Sequence, residues 1–158
     1  MSRTVKAVPE GYGSITPYLT VDGAARAIDF YTAAFGARER MRLEAPGGKL
    51  GHAEIEIGGG VVMLSDPWPG SHSAPPPAGG PVPVTIHLYV EDVDAGFARA
   101  IAAGATSVMP VKDQFYGDRS GMVRDPFGHV WYLATHVEDV PPEEMGRRMQ
   151  AMGCKPGG

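Results

Sequence analysis

Ile15-Thr-Pro-Tyr-Leu-Thr-Val21 and Val84-Thr-Ile-His-Leu-Tyr-Val90 are the two stretches that decide the fold. Laid one on the other they put Thr16 beside Thr85, 69 residues apart in a chain of 158. A self-similarity at that distance divides the chain into two half-size copies of one supersecondary unit. Each stretch alternates with period two, as a strand does. Ile15, Leu19 and Val21 oppose Thr16, Tyr18 and Thr20; Val84, Ile86, Leu88 and Val90 oppose Thr85, His87 and Tyr89. One face of each strand is aliphatic, and the other carries mixed polar and aromatic groups.

The two copies continue alike beyond these strands. Asp22 and Asp92 are acidic cap candidates, and helical stripes come next: Ala24, Ala27, Ile28, Tyr31 and Phe35 closed by Gly36, then Val93, Phe97, Ala100 and Ile101 closed by Gly104. Two or three strands complete each half. Ala53, Ile55 and Ile57 alternate with His52, Glu54 and Glu56, and Gly58-Gly59 makes a two-residue turn into Gly60–Ser65. That turn predicts Glu54 opposite Met63 and His52 opposite Ser65. In the second half Gly121–Arg124, a turn at Asp125-Pro-Phe-Gly128 and a strand over His129–Thr135 repeat the pattern, with Tyr132 lying 69 residues after Met63.

The expectation is an α+β fold of two βαβββ modules with a concave mixed sheet: module one over 14–70, a Pro/Gly-rich linker over 71–83, module two over 84–137. Pro141-Pro142 then opens a short helix over 141–152, with acids first and bases last, as the helix dipole prefers. The first ten residues and the last six read as loose.

Composition narrows the function. A formal net charge of −4 leaves no cationic footprint for nucleic acid, and no apolar run is long enough to span a membrane. The first ten residues lack the apolar centre of a signal peptide, so the cytoplasm is the expected compartment. Cys154, the single cysteine, can form no internal disulfide and has no neighbouring histidine.

Several segments together resemble the vicinal oxygen chelate superfamily, which includes glyoxalase I, extradiol dioxygenases and bleomycin resistance proteins. They are Ile15–Gly23, Ala27–Tyr31 with Phe35–Ala37, Leu88–Asp94 and Gly117–His129. With the tail Ala134-Thr-His-Val-Glu-Asp-Val140 they are closest to its PhnB-like branch. Laid side by side, the concave faces of the two modules would merge into one trough for a ligand, and the resemblance implies homodimers. It also implies a divalent metal held by one side chain from the first and one from the last strand of each module. Those positions fall on Thr16, Met63, Thr85 and Tyr132, none of them the imidazole or carboxylate such an ion needs, so neither a metal nor another cofactor is expected.

His87 and Glu54 are the candidate acid–base residues; Thr16, Tyr18, His52, Met63, Thr85, Arg124 and Tyr132 are the candidate ligand-lining residues. Plainer roles exist for all of them: histidines satisfied by backbone or water, aromatic side chains that only pack, and Arg124 paired with Asp118 or Asp125. Arg119 is a further candidate for binding an anion. Three functions remain open: a metal-independent small-molecule binder, a lyase, isomerase or dioxygenase of glyoxalase type, and an interaction module whose hollow its own side chains fill.

Overall fold

The computed structural model describes residues 5–153; Cys154 lies outside them. The chain divides into two compact units, the first taking in residues up to Val82 together with Pro126–His129, the second Pro83–Asp125 and the residues from Val130 onward.

Unit 1 runs β1 (Tyr18–Thr20), α1 (Ala24–Phe35), β2 (Arg38–Ala45), a single 3-10 turn (Pro46–Gly48), β3 (Lys49–Ile57) and β4 (Gly60–Ser65). Its sheet has the order β1-β4-β3-β2, with β1 and β4 parallel and the other pairs antiparallel. Ala53, Ile55, Ile57, Val62 and Leu64 are buried, as are Ala24, Ala27, Ile28 and Tyr31 of α1. The aliphatic face and the helical stripe thus make the core, and on the sheet's other face Tyr18, Met41 and Leu43 stay part-exposed. Gly58 and Gly59 both take positive φ, 55° and 82°, as a tight hairpin turn requires.

β1 is shorter than its alternation predicts. Ile15 precedes it and is 92% exposed, because Pro17 has no N–H to donate and only its carbonyl reaches the neighbouring strand, accepting from Met63 N at 2.9 Å. Asp22 does not cap α1. The cap residue is Gly23, at φ 103° and without a side chain, and the buried Asp66 accepts from Gly23 N at 2.7 Å and Ala24 N at 3.2 Å instead.

Unit 2 runs β5 (Thr85–Tyr89), α2 (Val93–Ala103), β6 (Thr106–Asp113), β7 (Asp118–Arg124), β8 (Val130–His136) and α3 (Pro142–Ala151). Its sheet order β5-β8-β7-β6 repeats that of unit 1, again with the first pair parallel. Asp92 caps α2 as expected, accepting from Ala95 N at 3.0 Å. Trp131, 1% exposed, donates from Nε1 to the buried Asp125 at 2.9 Å. Two expectations fail here: Ile101 is 37% exposed at the outer edge of α2, and Val84 precedes β5 and is exposed. Arg119 is committed within the unit; it forks onto Asp94 of α2 at 2.8 and 2.9 Å and reaches Asp113 at 3.1 Å, tying helix to sheet.

Candidate functional site

Paired residues on neighbouring strands project to the same face, so the register identifies what each open face carries. In unit 1, Tyr18 pairs with Met63, Met63 with Glu54, and Glu54 with Met41. These four form one row across all four strands. Leu43 pairs with His52 in the adjacent row. The expected Glu54–Met63 pairing holds, while the β3–β4 ladder ends at Ala53–Leu64, one step before His52 and Ser65. Tyr18, Met41 and Leu43 are 45%, 38% and 55% exposed, an apolar and aromatic surface that the unit's own helix does not cover.

Glu54 sits in that surface with only 5% of its area accessible. Tyr12 donates its hydroxyl to Glu54 Oε2. His52 Nε2 lies 3.1 Å from Glu54 Oε1, and the Tyr18 hydroxyl 2.8 Å from His52 Nδ1. The arrangement is self-consistent when Nε2–H donates to the carboxylate and Nδ1 accepts from Tyr18. Arg40 stands over the Tyr12 ring, 4.6 Å from its centroid. Burial alone pushes the Glu54 carboxyl up, but the hydrogen bonds from Tyr12 and His52 and the charge of Arg40 outweigh it, so the group titrates below the ordinary carboxylate value. The same bond to Glu54 pushes the Tyr12 hydroxyl above the usual tyrosine range. The cluster holds a fixed negative charge among aromatic rings and thioethers.

Unit 2 carries the equivalent row His87–Tyr132–Met122–Met109. The rings of His87 and Tyr132 stack at 5.6 Å and 11°, with Tyr89 tilted against His87 at 4.8 Å. Met122 occupies the place that Glu54 holds in unit 1, so this row has no carboxylate. Thr85 and Arg124 both pair with Val130 in the row beside it; Thr85 is exposed and Arg124 half-buried.

The structure brings Tyr18, His52, Glu54 and Met63 together in unit 1, and His87 and Tyr132 in unit 2. Thr16 lies before β1, half-buried; the residue in register with Met63 is Tyr18, and the one in register with Tyr132 is His87. The donor set at the positions implied for a metal, a methionine, a tyrosine and two threonines, does not fit a divalent ion, and Tyr18 and His87, which the register puts in the threonines' places, bring one imidazole and no carboxylate. Among the described residues no three His, Cys, Asp or Glu side chains cluster as a metal-binding group. Sequence reasoning missed Tyr12 and Arg40. Tyr12 lies in a Gly-Tyr-Gly stretch with no periodicity, and Arg40 on an edge strand whose alternating charges look like a solvated surface.

Comparison with known proteins gives consistent matches. The model of the Glyoxalase/Bleomycin resistance protein/Dioxygenase superfamily matches residues 12–133. An uncharacterised protein of Mycobacterium bovis is 50% identical over 143 residues, 89% of this chain and 94% of its own length. Among solved structures, TioX from Micromonospora sp. ML1 is similar with a TM-score of 0.63 and 36% identity, covering 79% of this chain and all of TioX. The PhnB protein of Bacillus cereus shares the fold at 22% identity, with a TM-score of 0.59 over 78% of this chain and 99% of its own.

Proposed function

The chain belongs to the glyoxalase/bleomycin resistance protein/dioxygenase superfamily, and from that premise we propose that it binds a small molecule on the open sheet face around Glu54, with no metal at the superfamily's usual positions. The observation that carries this reading is the hydrogen-bonded set Tyr12–Glu54–His52–Tyr18 inside an otherwise apolar and aromatic row. A carboxylate held ionised in such a surface costs desolvation that packing alone would avoid. The bonds from Tyr12 and His52 offset that cost within the protein, and the charge they hold in place is what a ligand's hydrogen-bond donor or positive charge would meet, while Tyr18, Met41, Leu43 and Met63 take the ligand's apolar body. The missing metal donors support a binding role rather than metal-assisted chemistry.

Ligand-observed NMR with a library of small aromatic amines and alcohols tests this directly. Saturable binding should persist in excess EDTA and be lost in Glu54→Gln and Tyr18→Ala. Binding that EDTA abolishes, or that both variants retain, would overturn it.

A second reading, an acid–base lyase or isomerase of glyoxalase type, draws on the same pair. A histidine tied to a buried carboxylate is the usual arrangement of a base and the group that orients it. In that reading Glu54 and His52 act on substrate, and a turnover that survives both Glu54→Gln and His52→Ala removes it.

A further inference from the structure

In the tail Ala134-Thr-His-Val-Glu-Asp-Val140 nearly every side chain is engaged within unit 2. Thr135 Oγ1 accepts from Val93 N at 2.9 Å and donates to Val90 O at 2.9 Å. The amides of Val137 and Glu138 both donate to Gly117 O. Glu138 pairs with Arg148 of α3 at 2.7 and 3.0 Å, and Arg148 also donates to Phe115 O. Val140 is buried. Beside these contacts lies an open surface pocket of about 300 Å³ lined by Tyr116, His136, Asp139, Val140, Pro141 and Met145.

His136 is the pocket's polar centre. Its Nδ1 lies 2.8 Å from Oδ1 of Asp118, which is 4% exposed and takes the Tyr89 hydroxyl on Oδ2 at 2.9 Å. Its Nε2 lies 2.8 Å from Asp139, a side chain fully open to water. The two acids differ in kind. Asp118 is fixed and fully used, so it orients the ring; Asp139 reaches in from solvent and can leave with little loss. Where Asp139 leaves, Nε2 of this half-exposed imidazole loses its partner at the rim of a pocket whose other walls are mostly apolar. Beside it, Pro141 provides no side-chain cap for α3, and the first intrahelical bond runs from Met145 to Pro141, so the amides of Glu143 and Glu144 also precede the helix ladder.

We propose that this pocket of unit 2 is a second ligand site, taking a small carboxylate with an apolar or aromatic body, and that Asp139 occupies the carboxylate's place until the ligand displaces it. Tyr116, Val140, Pro141 and Met145 would hold the body, and His136 the head group. Site and occupant stand independently of the Glu54 reading. The groups facing His136 are Asp118 from β7 with Tyr89 of β5 behind it, Asp139 from the following loop and Tyr116 from the β6–β7 turn; the Glu138–Arg148 pair, Glu143 and Glu144 lie on the α3 side. Hydrogen bonds to Asp139 and Asp118 hold the imidazole above its ordinary value, so the donor is present at mildly acidic pH and is lost in alkaline solution.

The test uses benzoate as probe and heteronuclear NMR of the His136 ring and the Met145 methyl in the full chain. Benzoate should shift both signals saturably at about pH 6, and its affinity should fall about tenfold or more by about pH 9 as the imidazolium deprotonates. Asp139→Asn should tighten binding about two- to fivefold by removing the competitor, the range expected for an exposed ion pair. His136→Gln should abolish the saturable shift at Met145. Benzylammonium, alike in size and opposite in charge, should not saturate. Unshifted signals in both wild type and Asp139→Asn, equal affinity at both pH values, or tighter binding of benzylammonium would each overturn the proposal. The first two readouts do not depend on the His136 variant folding.

Discussion

Replacing Glu54 by glutamine keeps the shape of the side chain and removes its charge, so the variant isolates what the ionised group does. Two opposing effects set the sign. A carboxylate with 5% of its area exposed suffers desolvation, which glutamine relieves. Against this stand charge-assisted hydrogen bonds from Tyr12 and His52, each worth about 1.5–3 kcal/mol against about 0.5–1.5 kcal/mol for a neutral bond. The lowered titration of Glu54 says that the bonds win. The net cost of Glu54→Gln at neutral pH should therefore be about 1–3 kcal/mol, or about 3–8 °C in Tm for a chain of this size. The pH dependence has a definite sign. A carboxyl whose folded value lies below its unfolded one contributes fully above the unfolded value, near 4.5, and loses that contribution as pH falls through the folded one. Urea denaturation followed by far-UV circular dichroism should show wild type more stable than Glu54→Gln at about pH 7, with the gap closing as pH falls through the folded value. Tyr12→Phe should narrow the gap, since it removes one of the two bonds. A glutamine variant as stable as wild type at neutral pH, or a gap that persists in acid, would refute the reasoning.

Gly121 lies where β7 passes under α2, and a Cβ there would stand 2.9 Å from Phe97 and from Val111. Gly121→Ala should cost about 1–3 kcal/mol through overpacking, read as a drop in Tm; an unchanged Tm would mean that Phe97 moves aside freely. His136 titrates above its ordinary value because it lies between Asp139 and Asp118, so its contribution to stability is complete below about pH 6.5 and fades as pH rises through the folded value. The difference in urea midpoint between wild type and His136→Gln should accordingly be largest in mild acid and shrink in alkali; the opposite trend would place the charge on the wrong side of the balance.

The fold was legible because its signals are local and repeated. The alternation at Leu19 and Val21, the helical stripe from Ala24 to Tyr31 and the Gly58-Gly59 turn are short-range signals, the 69-residue offset repeats them, and the register then places Glu54 opposite Met63. β2 and β6 were harder to read. Both are edge strands whose residues are almost all exposed or half-exposed, so no apolar face marks them. The site was legible only in part. Tyr18, His52 and Glu54 share a face by parity, which a sequence displays; that Tyr12 closes the network from outside the strands, or that Asp139 folds back onto His136, depends on loop paths that leave no periodic trace.

The repeat also explains how each helix start is satisfied, and why the two halves should respond unequally to mutation. Asp66 and Thr135 are equivalent by the 69-residue offset, and so are Ala24 and Val93, the first residues of α1 and α2. In each unit a side chain at or just past the end of the last strand accepts from that helix's first amide: Asp66 from Ala24 N at 3.2 Å, Thr135 from Val93 N at 2.9 Å. The rest of the task is divided differently. In unit 2 Asp92 caps the helix itself. In unit 1 the equivalent residue is Gly23, which has no side chain, so Asp66 also takes Gly23 N and, from its other oxygen, Leu50 N at 2.8 Å. One buried carboxylate thus satisfies three amides, whereas Thr135 takes one and gives one. Asp66→Ala should cost about 3–5 kcal/mol, since it leaves buried donors unpaired, and Thr135→Val about 1–2 kcal/mol, since Asp92 still holds α2. Hydrogen exchange at Ala24, Gly23 and Leu50 should accelerate together in the first variant, and only Val93 and its neighbours in the second. Equal destabilisation, or protection of Leu50 that survives loss of Asp66, would show that the two halves do not divide the capping in this way.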